Sequence, residues 1–232
     1  MEERLNKFIA RCGVTSRRKA DRLIEAGDIS INNRVVQDVV GFVDPDTDKV
    51  TYKGRLLIPP DNFVYYVLNK PRGYISTVED VYAQKKVVDL VPDKPRVFPV
   101  GRLDKDSEGL IILTDDGDLA LKLTHPRYEH EKEYLVTVEG SNEKSLTAGD
   151  LQKRFEKYTK SDMVSMKIIA TQGKIAELNF VLKEGKKRQI RRMCSSVGLK
   201  VIRLLRIRIA NLKLNGLPAG QFKRISKKDI IQ

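Results

Sequence analysis

A polar, glycine-bounded loop at residues 101–117 carries the side chains in this sequence that are best placed to do chemistry. It leads directly into the apolar run 110–113, and loops held by a rigid strand often position catalytic residues. Asp104 lies between Arg102 and Lys105, which favours an ionised carboxylate able to act as a nucleophile or a base. Taken alone, the segment is also compatible with the commoner role of a loop aspartate, which is to cap a turn.

A second polar cluster runs from Glu184 to Cys194. It predicts a helix over 186–197 that opens at Gly185 and closes at Gly198. Arg191 flanks the apolar stripe of this helix, so it is placed to reach an interior carboxylate. The residues expected to face the core are Ile190, Met193, Cys194 and Val197, and those expected to face solvent or RNA are Lys186, Lys187, Arg188 and Arg192. An amphipathic helix with ordinary surface arginines explains this pattern equally well.

The usual sequence signatures of metal, nucleotide and nicotinamide chemistry are missing. His125 and His130 are the only histidines, and their spacing of five residues, with no cysteine nearby, is poor for a shared metal ion. Neither G-x-x-x-x-G-K-[ST] nor G-x-G-x-x-G occurs. Cys12 and Cys194 lie far apart along the chain, which argues against a disulfide framework and fits a reducing compartment.

The segment Asp104-Lys-Asp106 also matches the D-x-D pattern of an aspartyl-phosphate phosphatase. Such an enzyme would need magnesium and a doubly wound βα pattern around the motif. The sequence does not show that pattern, which makes this the weaker enzymatic hypothesis.

The basic excess of the chain is confined to its last fifth. The net charge is +13, from 44 Lys and Arg against 31 Asp and Glu. Residues 183–232 hold 15 basic residues against two acidic ones, and the remaining 29 basic residues are matched by 29 acidic ones. Such a block attracts polyanions through counterion release and predicts a surface for a phosphate backbone. A solvated basic face that only aids solubility is the alternative.

The first 55 or so residues are patterned as a small module. A helix should end at Gly13, a second should run from the cap Ser16 to Gly27, and a hairpin should turn at Asn32-Asn33. Basic residues crowd the start of the second helix, where they oppose the helix dipole unless an external phosphate offsets them: Arg17, Arg18, Lys19 and Arg22. This placement favours a binding surface over a helical packing module with incidental arginines.

A stiff join at 57–62, which contains Pro59 and Pro60, separates this module from the rest. We therefore expect two domains, at 1–58 and 59–232. The second should be α+β with a mainly antiparallel sheet, having strands near 63–69, 96–100, 109–114, 133–138, 163–170, 174–182 and 200–210 and helices near 117–124, 143–154 and 186–197. The apolar runs are too short to cross a bilayer and Met1–Arg4 starts no signal peptide, so we expect a soluble protein that is not exported.

Several of these segments carry a resemblance to known families. The segments 4–7, 13–21 and 29–36 resemble the S4 RNA-binding module. The segments 68–73, 101–110, 130–135 and 184–194 occur in the same order as in bacterial ribosomal-RNA pseudouridine synthases of the RsuA/RluB type, which the chain resembles from about Arg4 to Ile225. The block G-R-L-D-x-x-S/T-x-G-L at 101–110 is highly specific. The segments 130–138 and 188–194 are most similar to members that act on large-subunit rRNA.

The resemblance implies a role for individual residues. Asp104 corresponds to the essential aspartate, which attacks the uracil ring or the ribose C1′ so that the base detaches, rotates and rejoins through C5. Tyr134 corresponds to the tyrosine that packs on the target base and assists proton removal from C5. Arg191 corresponds to the basic residue paired with the aspartate, Ile190 to the adjacent residue that lines the pocket, and Arg102 to an arginine that holds the flipped nucleotide or its phosphate.

Lys70 and Pro71 correspond to a structural motif beneath the site. The chemistry needs a nucleophile, a proton acceptor and a dry pocket, so the resemblance implies no metal and no small-molecule cofactor. It implies RNA as the partner, most specifically 23S rRNA, no membrane association and a cytoplasmic location, and we expect a monomer. The same isomerase acting on 16S rRNA or tRNA, and a non-catalytic S4-bearing RNA-binding or ribosome-assembly protein, are the alternatives.

Overall fold

The computed structural model describes residues 1–80, 84–140, 146–158 and 164–231. It divides the chain into two units. The smaller comprises Met1–Phe63 with Asp115–Gly117, and the larger comprises Val64–Thr114 with Asp118–Gln232. The first residues of two predicted elements, the helix at 143–154 and the strand at 163–170, lie outside the described residues.

The smaller unit is built from two helices and short strands. Their bounds are β1 Glu3–Arg4, α1 Leu5–Arg11, α2 Arg17–Glu25, β2 Ile29–Ile31, β3 Arg34–Val35, β4 Phe42–Val43, β5 Val50–Tyr52 and β6 Arg55–Leu56. Ser16 caps α2 as predicted, because its hydroxyl accepts a hydrogen bond from the backbone N–H of Lys19 at 3.4 Å. Asn32 and Asn33 both have positive φ, at 49° and 66°, which suits the tight turn that joins β2 to β3.

The strands of the smaller unit form a sheet of order β3-β2-β5-β6 and a separate pair, β1 with β4. The buried residues of its core are Leu5, Phe8, Ile9, Ala20, Ile24, Ile29, Val43 and Val50. Both helices therefore pack an apolar stripe against residues of β2, β4 and β5, as their periodicity predicts.

The larger unit is organised around one extended sheet. Its elements are β7 Tyr65–Lys70, β8 Phe98–Val100, β9 Glu108–Thr114, α3 Gly117–Thr124, β10 Lys132–Gly140, α4 Ala148–Phe155, β11 Ser165–Gln172, β12 Ile175–Leu182, α5 Gln189–Ser196, β13 Leu199–Ile209, β14 Leu212–Lys213 and β15 Phe222–Ile225. The order is β11-β12-β10-β13-β9-β7-β15, with β14 on β13 and β8 on β9. Among the described strands the pairings are antiparallel except that of β13 with β9, which is parallel.

The predicted start of the helix after Gly185 is wrong by several residues. The helix α5 begins at Gln189, because Arg188 has a left-handed backbone, with φ 52°, that cannot lie inside a right-handed helix. The core face is as predicted, since Ile190, Met193 and Cys194 are buried against the sheet. None of the helices in the described ranges combines the length and the apolar character needed to cross a membrane.

Candidate active site

A pocket of about 640 Å³ lies in the larger unit, where the loop between β8 and β9 meets β10, β13 and the segment that leads into α5. Six of the residues predicted for the site line it: Arg102, Asp104, Tyr134, Arg188, Ile190 and Arg191. The side chains of Asp104, Tyr134 and Arg191 come from three elements that are distant in the sequence, and the fold places them on the wall of the same pocket.

The loop that carries Asp104 is held through its backbone. The hydroxyl of Ser76, which is buried, accepts a hydrogen bond from the N–H of Leu103 at 3.0 Å and donates one to its carbonyl at 2.9 Å. The N–H of Gly73 donates to the carbonyl of Lys105 at 2.7 Å, and the N–H of Ser107 donates to the carbonyl of Asp104 at 3.0 Å. These bonds fix the backbone on both sides of the aspartate.

Lys70 supports the same loop from inside the protein. Its side chain is fully buried, and its ammonium donates hydrogen bonds to the carbonyls of Pro71, Lys105 and Ser107 at 3.2, 3.4 and 2.6 Å. Burial lowers the pKa of Lys70 to about 8, although the nearby carboxylates, chiefly Asp106, oppose this. The resemblance implied a structural role for Lys70, and these contacts anchor the backbone of the loop.

Gly109 lets β13 approach the end of this loop. It has φ +104°, and a Cβ at this position would lie 2.3 Å from the carbonyl oxygen of Arg206 and 2.7 Å from its nitrogen. Two features exclude a side chain here: L-residues rarely adopt this φ, and the space that a Cβ would need is occupied by the backbone of Arg206. The parallel contact of β9 with β13 therefore depends on glycine here.

Two arginines contact the aspartates of the loop, and their pairing differs from the expectation. Arg188 Nη1 lies 3.5 Å from Asp104 Oδ2 and 3.6 Å from Asp106 Oδ1. Arg191 instead has its Nη2 3.5 Å from Asp106 Oδ2, and it donates hydrogen bonds to the carbonyl of Asp106 at 3.1 Å and to the Ser107 hydroxyl at 3.4 Å. In this structure Asp104 therefore pairs with Arg188, and Arg191, its expected partner, pairs with Asp106.

The backbone at the start of α5 explains this exchange. Arg188 precedes the helix in a left-handed conformation, and its guanidinium reaches Asp104 while its side chain stays 44% exposed, as expected of a residue that faces solvent or RNA. Burial alone would raise the pKa of Asp106, but a backbone hydrogen bond and the charges of Arg191 and Arg188 outweigh it and hold that pKa below its ordinary value. Asp106 is thus part of the arginine cluster, which the sequence analysis did not predict.

Tyr134 and Ile190 supply the apolar wall of the pocket. Tyr134 lies on β10, where side chains alternate between buried and partly exposed, and its own exposure is 7%. Ile190 is buried in the first turn of α5. An aromatic ring and an aliphatic side chain of this kind can pack on the faces of a planar base.

Two further cations line the pocket, and both were missed in the sequence. Arg206 is the β13 residue paired across the sheet with Tyr134, and Lys132 lies two residues before Tyr134 on β10. The Lys132 ammonium donates to the carbonyl of His130 at 3.1 Å, and burial, together with the charge of Arg206, lowers its pKa. Lys132 falls inside a segment that had been singled out for Tyr134, whereas Arg206 gives no local signal in the sequence.

The other predicted residues lie outside the pocket lining. Arg192 is exposed on α5. Arg17, Arg18 and Lys19 are exposed in the first turn of α2, in the smaller unit, and Arg17 donates a hydrogen bond to Asn6 Oδ1 at 3.3 Å. In the described ranges no group of three or more His, Cys, Asp or Glu side chains is placed to hold a metal ion.

The arrangement combines a half-exposed carboxylate, a buried aromatic ring and a set of arginines around a cavity large enough for a nucleotide. A carboxylate of this kind can attack an electrophilic carbon or accept a proton. The exposed basic residues at the rim, Arg102, Lys186 and Lys187, suit the phosphates of a polyanionic substrate.

Comparisons with known proteins agree with this geometry. Residues 64–196 match the family described as RNA pseudouridylate synthase, and residues 3–44 match the S4 domain. The chain is 39% identical to the dual-specificity RNA pseudouridine synthase RluF of Salmonella typhi, over 98% of this chain and 77% of that protein. It is 37% identical to the ribosomal large subunit pseudouridine synthase B of Bacillus subtilis, over 98% of this chain and 94% of that protein.

A solved structure supports the same assignment. The crystal structure of a pseudouridylate synthase superposes with a TM-score of 0.62 at 25% identity and covers 97% of each chain. The predicted α+β architecture, with an N-terminal S4 domain followed by a synthase domain, is confirmed. The chain belongs to the RNA pseudouridine synthase family, and it is an isomerase that carries an S4 domain.

Proposed function

We propose that this enzyme converts uridine to pseudouridine in the ribosomal RNA of the large subunit, with Asp104 as the nucleophile. The observation that carries the proposal is that Asp104, Tyr134 and Arg191 line one pocket. One relative supports the choice of substrate, because it is named for the large ribosomal subunit.

The reaction breaks the bond between C1′ and N1 of the target uridine and forms a bond between C1′ and C5. Asp104 attacks C1′ or the uracil ring and forms a covalent bond to it, and the bond between C1′ and N1 breaks so that the uracil rotates. C5 then bonds to C1′, and the bond to Asp104 breaks, which restores the carboxylate. The C5 proton is lost, and N1 carries a proton in the product. Tyr134, buried on the pocket wall, stacks on the uracil and assists removal of the C5 proton.

The remaining residues of the pocket hold the parts in place. Ile190 covers the base on the side of α5, and Arg102 contacts the flipped nucleotide or its phosphate. Arg188 pairs with Asp104 before RNA binds, since its guanidinium is the one found beside that carboxylate. Arg191 positions the loop through the carbonyl of Asp106 and the hydroxyl of Ser107.

RNA outside the pocket is held by basic residues that are exposed on both units. Arg17, Arg18 and Lys19 serve this role at the start of α2, and Arg192 serves it on α5. We place the domain boundary between residues 58 and 59, and we propose that the enzyme works as a cytoplasmic monomer.

Tritium release tests the proposal directly. Large-subunit rRNA transcribed in vitro with uridine labelled at C5 should lose tritium to water when the protein is added in EDTA. Asp104→Ala should lower the rate at least about 1,000-fold, because loss of a nucleophile removes the covalent route. Asp93→Ala, which changes an exposed aspartate of the same unit, is the matched control and should keep the parent rate.

Two results would contradict the proposal. Equal turnover by the Asp104→Ala variant and the parent would refute the role of the aspartate. Tritium release from transcripts of small-subunit rRNA or tRNA, with none from the large-subunit transcript, would refute the assigned substrate.

A further inference from the structure

Arg206 is the most deeply buried arginine of the pocket. The residue is 3% exposed, and it lines the cavity together with Asp104 and Tyr134. In the antiparallel pair of β10 and β13 it lies directly opposite Tyr134, so the two side chains share one face of the sheet. On the other side of β13 it pairs with Gly109, the second residue of β9, which follows the Asp104 loop.

The hydrogen bonds of this guanidinium are incomplete. Nε donates to the carbonyl of Leu110 at 2.7 Å, which fixes the plane of the group. Nη2 is buried and has no hydrogen-bond partner among the described residues. A buried charged donor without an acceptor is destabilising, and such a group is retained where a ligand supplies the acceptor.

The charge of Arg206 is also unbalanced. In the described part of the chain no carboxylate oxygen lies within 4 Å of it, whereas Arg208 on the same strand pairs with both Glu131 and Glu133. Lys132 lies close enough for the charge of Arg206 to lower its pKa. The inner wall of the pocket therefore presents one buried donor, Arg206 Nη2, that has no acceptor among the described residues.

We propose that Arg206 is a substrate-binding residue, whose Nη2 donates a hydrogen bond to a carbonyl oxygen of the uracil held in the pocket. This proposal rests on the uridine isomerisation described above. The depth of Arg206 favours the base over the phosphate, because the exposed cations Arg102, Lys186 and Lys187 stand at the rim, where the backbone of an extruded nucleotide must pass. Opposite Tyr134, the guanidinium is placed to reach the edge of a base whose face is stacked on the ring.

Sulfur substitution of the uracil carbonyls tests this contact. Single-turnover rates are measured on large-subunit transcripts made with uridine, 2-thiouridine or 4-thiouridine, and the nucleosides are separated by chromatography after digestion. Arg206→Met should be about 10- to 100-fold slower than the parent on uridine RNA. One of the two thio substitutions should lower the rate of the parent, because sulfur is the weaker hydrogen-bond acceptor. The same substitution should hardly lower the rate of Arg206→Met, which has already lost the donor.

Arg208→Met is the matched control, because it also removes an arginine from β13 but one that is held by two glutamates. It should show the same two thio effects as the parent, where a thio effect is the ratio of the rate on uridine RNA to the rate on 2-thiouridine or 4-thiouridine RNA. If the thio effects of Arg206→Met equal those of the parent for both RNAs, the residue makes no contact with a uracil carbonyl and the proposal is refuted.

A second measurement tests the contact by binding alone, without turnover. It therefore distinguishes a missing contact from a variant that does not fold and from a wrong assignment of the RNA substrate. Arg206→Lys keeps the charge and loses Nη2, and binding of uridine 5′-monophosphate and its 2-thio and 4-thio forms is followed by NMR titration. The lysine variant should bind the oxygen form about 10-fold more weakly and lose the preference for oxygen at one carbonyl. If the ratio of Kd for the thio and oxygen nucleotides is the same in the lysine variant as in the parent, the proposal is overturned. A parent that releases no tritium from ribosomal RNA would contradict the assigned RNA substrate and would leave this binding test intact.

Discussion

Gly109→Ala is expected to damage the enzyme far more than an ordinary glycine substitution. The added Cβ would lie 2.3 Å from the carbonyl oxygen of Arg206, 2.7 Å from its nitrogen and 3.0 Å from its carbonyl carbon. All three atoms belong to backbone in the middle of β13, so no side-chain rotation can relieve the contact. Either β13 moves away from β9, or Gly109 abandons its φ of +104°.

The size of the effect follows from two contributions. Placing an L-residue in the left-handed region costs about 1–2 kcal/mol. Forcing extra volume into packed backbone costs about 1–3 kcal/mol more. The expected loss of about 2–5 kcal/mol is a large share of the ~5–15 kcal/mol by which native proteins are stable. The shift of β13 should also carry Arg206 away from the Asp104 loop and lower the rate of the surviving folded enzyme.

Gly173→Ala provides a matched control. Gly173 also has a positive φ, of +58°, in the turn between β11 and β12, but a Cβ there would meet nothing within 4 Å. It should lose only the conformational cost, about 1–2 kcal/mol, with no change in rate. Unfolding in urea can be followed by circular dichroism or tyrosine fluorescence, because the chain contains no tryptophan. Equal unfolding free energies for the two variants would refute the close-approach argument.

Two further predictions concern the buried lysine and the S4 helix. Because the pKa of Lys70 is about 8 in the folded protein against 10.5 ordinarily, the folded state releases this proton first, and the unfolding free energy of the parent relative to Lys70→Met should rise by about 3 kcal/mol between pH 8 and 10.5. Urea denaturation across that range measures it, and a constant difference would contradict the assigned cause. Arg17→Ala with Arg18→Ala should weaken RNA binding and reduce the slope of log K against log salt by up to about 2, and Arg55→Ala serves as the control. An unchanged slope would remove α2 from the RNA surface.

Much of the fold could be predicted because its signals are local. The alternating pattern at 133–138 predicted β10, which runs from Lys132 to Gly140, and the run at 174–182 predicted β12 at Ile175–Leu182. Helix caps and turn residues are equally local, as Ser16 shows. The Asp104 loop was found because its glycines, its charges and the following strand are contiguous in the sequence.

The errors fall where distant segments meet. The strand pair of β1 and β4 joins two-residue segments about 40 positions apart, too short to show any periodicity. Arg206 lies in a strand that also carries Arg203 and Arg208, a pattern typical of an exposed face. It is buried in the fold, where it pairs with Tyr134 of β10 on one side and Gly109 of β9 on the other. The left-handed backbone of Arg188 is imposed by its tertiary surroundings, since nothing in the residue type favours it.

The contacts around Asp104 divide into two kinds, and the division bears on how the site works. Lys70 and Ser76 bind backbone atoms from buried positions, so they fix where the aspartate stands without touching its carboxylate. The carboxylate itself meets Arg188 at 3.5 Å, in a pair whose side chains are 44% and 39% exposed. Exposed pairs of this kind are worth about 0–1 kcal/mol, so RNA phosphates can draw Arg188 away at little cost. Asp104, the proposed nucleophile, is therefore held through the backbone of its loop, and its carboxylate can exchange its ionic partner when the substrate enters.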